Sequence, residues 1–389
     1  MSSLPPLQAV FENGSQELRP PSGDTTTFSF TGDICLIREV EERLRENPQD
    51  AIAGIREALA ADYVIGNLET PLSTAPFDPQ RGVLKSDPAL ADVLVSLGFD
   101  AFAIANNHTM DCGADGLRDT LSFLSQNNIA HFGAGNNLQE ARKPLIVERN
   151  NIKIGLLGYS QPELDAAQND KAGNAPLRKE LILADIAQLR PQVDVLILTL
   201  HEGYEFQFYP RLEFMQFCRE LAQNGADVIC GHHPHVLQGL ETCGNSMIMY
   251  SLGNFWFDMT YQRRVPESRQ GLIAHISFDQ KGPVKLALTP TIMTETSQLR
   301  VADGEPRRAI LRHLKHISSA LQDTEMIREQ NAISVAKVMR AILGAVYNLG
   351  TKEDKAEFEK FVEHQIRRDP YLKAFCDYAD LIGGYKSTF

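Results

Sequence analysis

Asp33, Glu69, His108, His201, His232 and His235 stand at or just beyond the ends of five short apolar runs, FSFTGD, YVIGNLE, AFAIANNH, VLILTLH and DVICGHHPH. Four to eight β-rich residues closed by Asp, Asn, Glu or His are what a parallel sheet looks like when its active site lies beyond the carboxyl ends of its strands. Five such runs in order argue for one polar cluster assembled from distant sequence. Nitrogen and oxygen donors of this kind suit a divalent ion such as Zn, Mn or Fe, not a thiolate-bound structural zinc. His232 and His235, which flank a proline in GHHPH, read as ligands. His233 is expected to point elsewhere, because adjacent residues leaving a strand face opposite ways. Asp33 as a helix cap and Glu69 as a surface carboxylate are the plainer alternatives. Cys35 reads as a small buried hydrophobe sooner than a soft ligand.

The elements that must position these residues alternate strand and helix. After TFSFTGD comes a charged helical stretch from about Glu39 to Ala60, then DYVIGNLE, a helix near Ala89–Leu97, and DAFAIANNH. GADGLRDTLSFLSQNN is amphipathic at helical spacing. PLIVERNNIKIGLLGYS predicts a hairpin turning at Asn150-Asn151. Helices near Lys179–Leu189 and Arg211–Gln223 lead into VDVLILTLH and ADVICGHHPH. SMIMYSLGNFWF, GLIAHISF and VKLALTPTIM predict three further strands, the last two antiparallel. Residues 1–26, rich in Pro, Ser and Gly, predict a flexible arm. The expected division is that arm, an α/β domain over 27–295, and a helical extension over 296–389.

Bulk properties narrow the partners. The 389 residues carry a net charge of −12 and a pI near 5.4, which lacks the basic stripe that nucleic-acid binding requires. Six cysteines without a CxxC fit reduced thiols, and no cationic segment leads an apolar one at the N-terminus. The chain therefore predicts a cytoplasmic protein without a membrane span. An anionic substrate would be met locally by metal and by Lys85, Arg81 or Arg211, the first two in the long loop QRGVLKSDP.

The ordered set TGD (Asp33), GNLETPLS (Asn67, Glu69), ANNHTMDCGADGL (Asn107, His108, Asp111), LTLHEGYEF (His201), GADVICGHHPHVLQGLE (His232, His235) and YSLGNF (Tyr250, Ser251, Asn254) resembles the CapA/PgsA family. That family is associated with bacterial poly-γ-glutamate capsule synthesis and belongs to the calcineurin-like metallophosphoesterase superfamily. The resemblance covers roughly residues 28–260 and implies a four-layer α/β/β/α sandwich. It further implies one or two divalent ions held by Asp33, Glu69, Asn107, His201, His232 and His235, with His108 protonating the leaving group and Asp111 orienting it. Asn67, Tyr250, Ser251 and Asn254 would support the site. Cys35 stands where the superfamily places a histidine, so the two ions are expected to be unequal. The implied activity is hydrolysis of a phosphoester by metal-activated water. Amide or acyl chemistry on glutamyl products is the runner-up. A non-catalytic assembly factor docking a synthetase through C-terminal helices is the alternative from another class.

Overall fold

The computed structural model describes residues 3–79, 83–161, 165–258 and 265–333. Period-two alternation along apolar strands decides its layering. The first sheet contains β1 (Ser15–Glu17), β2 (Thr26–Cys35), β3 (Tyr63–Leu68), β4 (Ala101–Ala103), β5 (Ala130–Phe132), β14 (Asn254–Phe257), β15 (Gln270–Asp279), β16 (Gly282–Met293) and β17 (Leu299–Val301). The second contains β7 (Leu145–Arg149), β8 (Ile152–Ser160), β10 (Val195–His201), β11 (Val228–His232), β12 (Leu240–Cys243) and β13 (Ser246–Met249), while β6 (Ala134–Gly135) and β9 (Gly173–Asn174) form a small ribbon. β14, β2, β3, β4 and β5 run parallel, as do β8, β10, β11 and β13.

Phe28 and Phe30 of β2 meet Val195 and Ile197 of β10 in the core between the sheets. On the outer faces, Ile34 and Val64 pack with helices Glu39–Glu46, Asp92–Leu97 and Gly113–Gln126, and Leu196, Leu198 and Leu200 pack with helices Lys179–Leu189 and Leu212–Gln223. The fold is thus a four-layer α/β/β/α sandwich. Parallel strands buried on both faces explain the near-continuous apolar runs.

The predicted hairpin joins β7 to β8 through Asn150 and Asn151, both at positive φ, as a tight type I′ turn requires. β15 and β16 are antiparallel. The charged stretch 39–60 is three short helices instead of one, broken at Asn47-Pro48 and at Gly54 (φ 77°). SMIMYSLGNFWF is two strands, β13 and β14, in different sheets, with Gly253 (φ 68°) between them.

The termini differ most from expectation. The N-terminal segment is packed, not loose. Leu4, Leu7, Val10, Phe11 and Leu18 are buried in the core, and β1 pairs with β16. Arg19 holds the buried carboxylate of Asp279, which Ser22 also binds through its N–H. Likewise no break falls at 295/296. β17 continues the first sheet, and helix Gly304–Ala320 sends Ile310, Leu311, Leu314 and Ile317 into the central core. The helices expected from 334 onward lie outside the described residues.

Candidate metal centre

The carboxyl ends of β2, β3, β10 and β11 and the amino end of β14 meet at one point. Asp33 is opposite Asn67 of β3 and Asn254 of β14, and His201 is opposite His232. A bulge in β2 between Phe30 and Asp33 aims that carboxylate. Gly32 makes the bulge feasible, because a Cβ there would lie 2.0 Å from the Gly253 carbonyl oxygen. The Asp33 N–H donates to that carbonyl at 3.0 Å.

Two groups of donors converge, and both contain Glu69. One is Glu69, His201 and His233; the other is Asp33, Glu69 and His235; within each, the ligand atoms lie within 4.8 Å of one another. Asn107 joins the first, its Oδ1 lying 2.8 Å from His201 Nε2, which is itself 3.3 Å from Glu69 Oε1. Among the described residues, both Glu69 oxygens, Asn67 Oδ1 and His233 Nδ1 are buried without a hydrogen-bond partner. Unsatisfied buried acceptors are costly, and four around one point are what a site for cations needs. The donor chemistry of both groups would suit divalent ions, and Glu69 is common to the two.

In the GHHPH turn, His233, expected to point away, stands in one candidate donor group, while His232 lies against Asp33. His232 is the last residue of β11, and its Nδ1 lies 3.0 Å from Asp33 Oδ1, steadying that carboxylate. His233 and His235 follow the strand with φ of 98° and 55°. Strand alternation no longer governs them, and residues two apart converge. Cys35 packs with Ile37, Leu84 and Phe257 and belongs to neither group.

Electrostatics suit neutral imidazoles at His201 and His233, whereas at His235 burial is outweighed by Asp33, which raises it. Burial drives His201 well below the ordinary histidine value, aided by His233, and burial takes His233 down to about 3. Burial alone would raise Asp33, but His232 and His235 hold its carboxyl well below the usual range. Glu69 goes the other way. Burial and the facing Asp33 charge push it well above the usual carboxylate range.

His108 stands beside this centre. Its Nδ1 lies 2.9 Å from Asp111 Oδ2, an oxygen that also accepts the Val83 and Leu84 N–H groups at 3.0 and 2.7 Å. Asp111 therefore fixes the imidazole and the loop together, leaving Nε2 3.2 Å from Asn107 Nδ2. The preceding Asn106 accepts the His108 N–H and donates to Leu68 O.

The expected supporting residues divide. Asn67 donates to Asp33 Oδ1 at 2.8 Å, and Asn254 Oδ1 lies 2.9 Å from His235 Nδ1. Ser251 Oγ accepts the Gly253 N–H, shaping the turn that meets Gly32. Tyr250 serves another place, donating to Glu241 at 2.6 Å, which pairs with Arg219. Lys85 donates to the Ala75 carbonyl and lies over the Phe77 ring, and Arg211 pairs with buried Glu202. Both cations are thus spoken for. Arg81 lies outside the described residues.

The chain is thus a four-layer α/β/β/α sandwich with two candidate donor groups at its strand ends. The model of the bacterial capsule synthesis protein PGA_cap matches residues 27–259, and the chain belongs to that family. It is 31% identical over 302 residues to the PGA biosynthesis protein CapA of Bacillus subtilis (75% of this chain, 78% of the relative). It is 25% identical over 358 residues to the capsule biosynthesis protein CapA of Bacillus anthracis (88% and 79%). A Mycobacterium tuberculosis relative, called a "Probable polyglutamine synthesis accessory protein", is 26% identical over 246 residues (59% and 62%). No helix among the described residues is long and apolar enough to cross a membrane.

Proposed function

We propose that this chain is a metal-dependent hydrolase holding two divalent ions that share Glu69, and that it serves the capsule-polymer chemistry of its family in the cytoplasm. The observation that carries this reading is the set of unsatisfied buried donor atoms on Asn67, Glu69 and His233. Asp33, Glu69 and His235 would hold one ion; Glu69, His201, His233 and Asn107 the other. When bound, such ions lower the pKa of a water and neutralise charge on a substrate oxygen. His232, Asn67 and Asn254 keep Asp33 and His235 in place. His108, oriented by Asp111, protonates the departing atom. A phosphoester is the electrophile the fold class suggests, and a glutamyl amide is the one the family's polymer suggests. Among the described residues, five buried or half-buried free cysteines suit a reducing compartment.

Metal analysis of the purified protein, with a panel of phosphate esters and amino-acid anilides, tests the proposal. Two ions per chain and metal-dependent turnover on one substrate class are expected. A protein that binds metal but turns over nothing would favour an accessory role beside a synthetase, as the name of the mycobacterial relative suggests for that protein.

A further inference from the structure

Asn174 ends the short strand β9, opposite Ala134 of β6, and its backbone is tied on both flanks. Its carbonyl accepts the Ala167 N–H at 2.8 Å, the following Ala175 N–H donates to Gly133 O at 2.8 Å, and the Ala175 carbonyl accepts the Ser160 N–H at 3.0 Å. The preceding Gly173 leaves no room to shift, since a Cβ there would lie 2.2 Å from the Asp165 carbonyl oxygen. From this fixed base the buried Asn174 side chain donates through Nδ2 to the Asn106 carbonyl at 2.6 Å. That carbonyl belongs to the peptide joining Asn106 to Asn107. A second bond to it, from the Thr109 N–H, is longer at 3.4 Å. Asn174 Oδ1, in contrast, is buried without a hydrogen-bond partner. Exchanging the two ends of the amide would set oxygen against oxygen, so the nitrogen must face Asn106. An unpaired buried acceptor costs stability, and an aliphatic side chain of the same shape would serve folding at least as well. What the amide adds is the direction of one peptide.

We propose that Asn174 is a positioning residue of the metal centre: by fixing the Asn106–Asn107 peptide it aims the Asn107 side-chain oxygen at the ion shared with Glu69, His201 and His233. The proposal deepens the two-ion reading above and rests on it. Asn107 leaves that peptide with Oδ1 2.8 Å from His201 Nε2 and Nδ2 3.2 Å from His108 Nε2. One amide thus faces His201 with its oxygen and His108 with its nitrogen, and a tilt of the peptide would move both contacts together. Around it the turn is already committed. The Asn106 side chain bonds Leu68 O, the His108 N–H and the Thr109 hydroxyl. Asn106, His108 and Thr109 are buried, whereas Asn107 is only half-buried. Packing therefore constrains the Asn107 side chain least, and the bonds that orient its backbone matter most. Partners that orient a ligand in this way are worth about 10- to 100-fold in metal affinity.

Calorimetric titration of the full chain with Mn²⁺ after chelator treatment, and the visible spectrum of the Co²⁺-loaded chain, test this on wild type, Asn174→Ala, Asn107→Ala and the double variant. Asn174→Ala should hold one ion as wild type does and bind the other roughly 10- to 100-fold more weakly, with an altered cobalt spectrum. Asn107→Ala should weaken the same ion. The double variant should be no weaker than Asn107→Ala alone, because Asn174 acts through Asn107; a merely structural role would add to it. Additive losses, or affinities in Asn174→Ala within about twofold of wild type, overturn the positioning role and leave the two-ion reading standing. An Asn107→Ala variant that binds both ions as wild type does also overturns it. A wild type that takes up no metal overturns both. Should Asn174→Ala melt too early to titrate, Asn174→Leu, which keeps the side-chain shape and removes the donor, takes its place with the same expected and contrary results.

Discussion

His108 and His233 both lie beside the candidate donor residues yet are proposed to do different work, and their variants should separate. His108 contacts Asp111 and Asn107 and belongs to neither donor group. His108→Ala should lower kcat by roughly 10² to 10⁴ while metal content, read by elemental analysis, stays at the wild-type value. Loss of metal in that variant would make His108 a ligand. His233→Ala should instead weaken one ion selectively, whereas His232→Ala should act through Asp33 and cost less affinity. Equal losses would contradict the donor groups. The strand-end donors were legible in the sequence because apolar runs ending in Asp, Glu or His announce themselves. The choice between His232 and His233 was not, because it depends on positive φ after the strand ends.

At the scale of elements, the β2 bulge and the N-terminal clamp are the features to probe. Gly32→Ala would set a Cβ 2.0 Å from the Gly253 oxygen, and neither neighbour is a flexible side-chain tip. It should cost about 3 kcal/mol of stability in denaturant melts and misdirect Asp33, weakening metal binding. The clamp joins the N-terminal segment to β15. Burial would raise the Asp279 carboxyl, but Arg19, the Ser22 and Lys281 N–H groups and the Ser22 hydroxyl hold it below the ordinary aspartate range. Because the folded value lies below the unfolded one, the clamp is at full strength above about pH 4 and is lost as pH falls further toward the folded value. Asp279→Asn should cost about 3 kcal/mol at pH 7 and flatten that acid limb. An unchanged limb in urea melts between pH 5 and 3 would show that Asp279 carries little of it. The segment looked like a loose arm because Pro, Ser and Gly dominate its composition. Its anchors, Leu4, Leu7, Val10 and Phe11, are too sparse to register as a periodic element.

For the whole molecule, apolar runs made parallel strands legible and helical patterning marked the helices between them, while the two-sheet sandwich was implied by the family resemblance. What composition could not show was that both ends of the described chain close the same core. Helix Gly304–Ala320 contributes Leu311 and Leu314 to it, and Ser318 Oγ accepts the Leu240 N–H at 2.9 Å. Truncation after Thr294 should therefore unfold or aggregate the protein, not merely remove an appendage, as cooperative melting and gel filtration would reveal. The central claim is that one buried carboxylate bridges two ions. Elemental analysis of purified wild type and of Glu69→Gln, with folding of each confirmed by circular dichroism, tests it most directly. Two divalent ions per wild-type chain, falling to one or none in a folded Glu69→Gln, is the predicted result. Full metal content in Glu69→Gln, or none in the wild type after incubation with Mn or Zn, would contradict it.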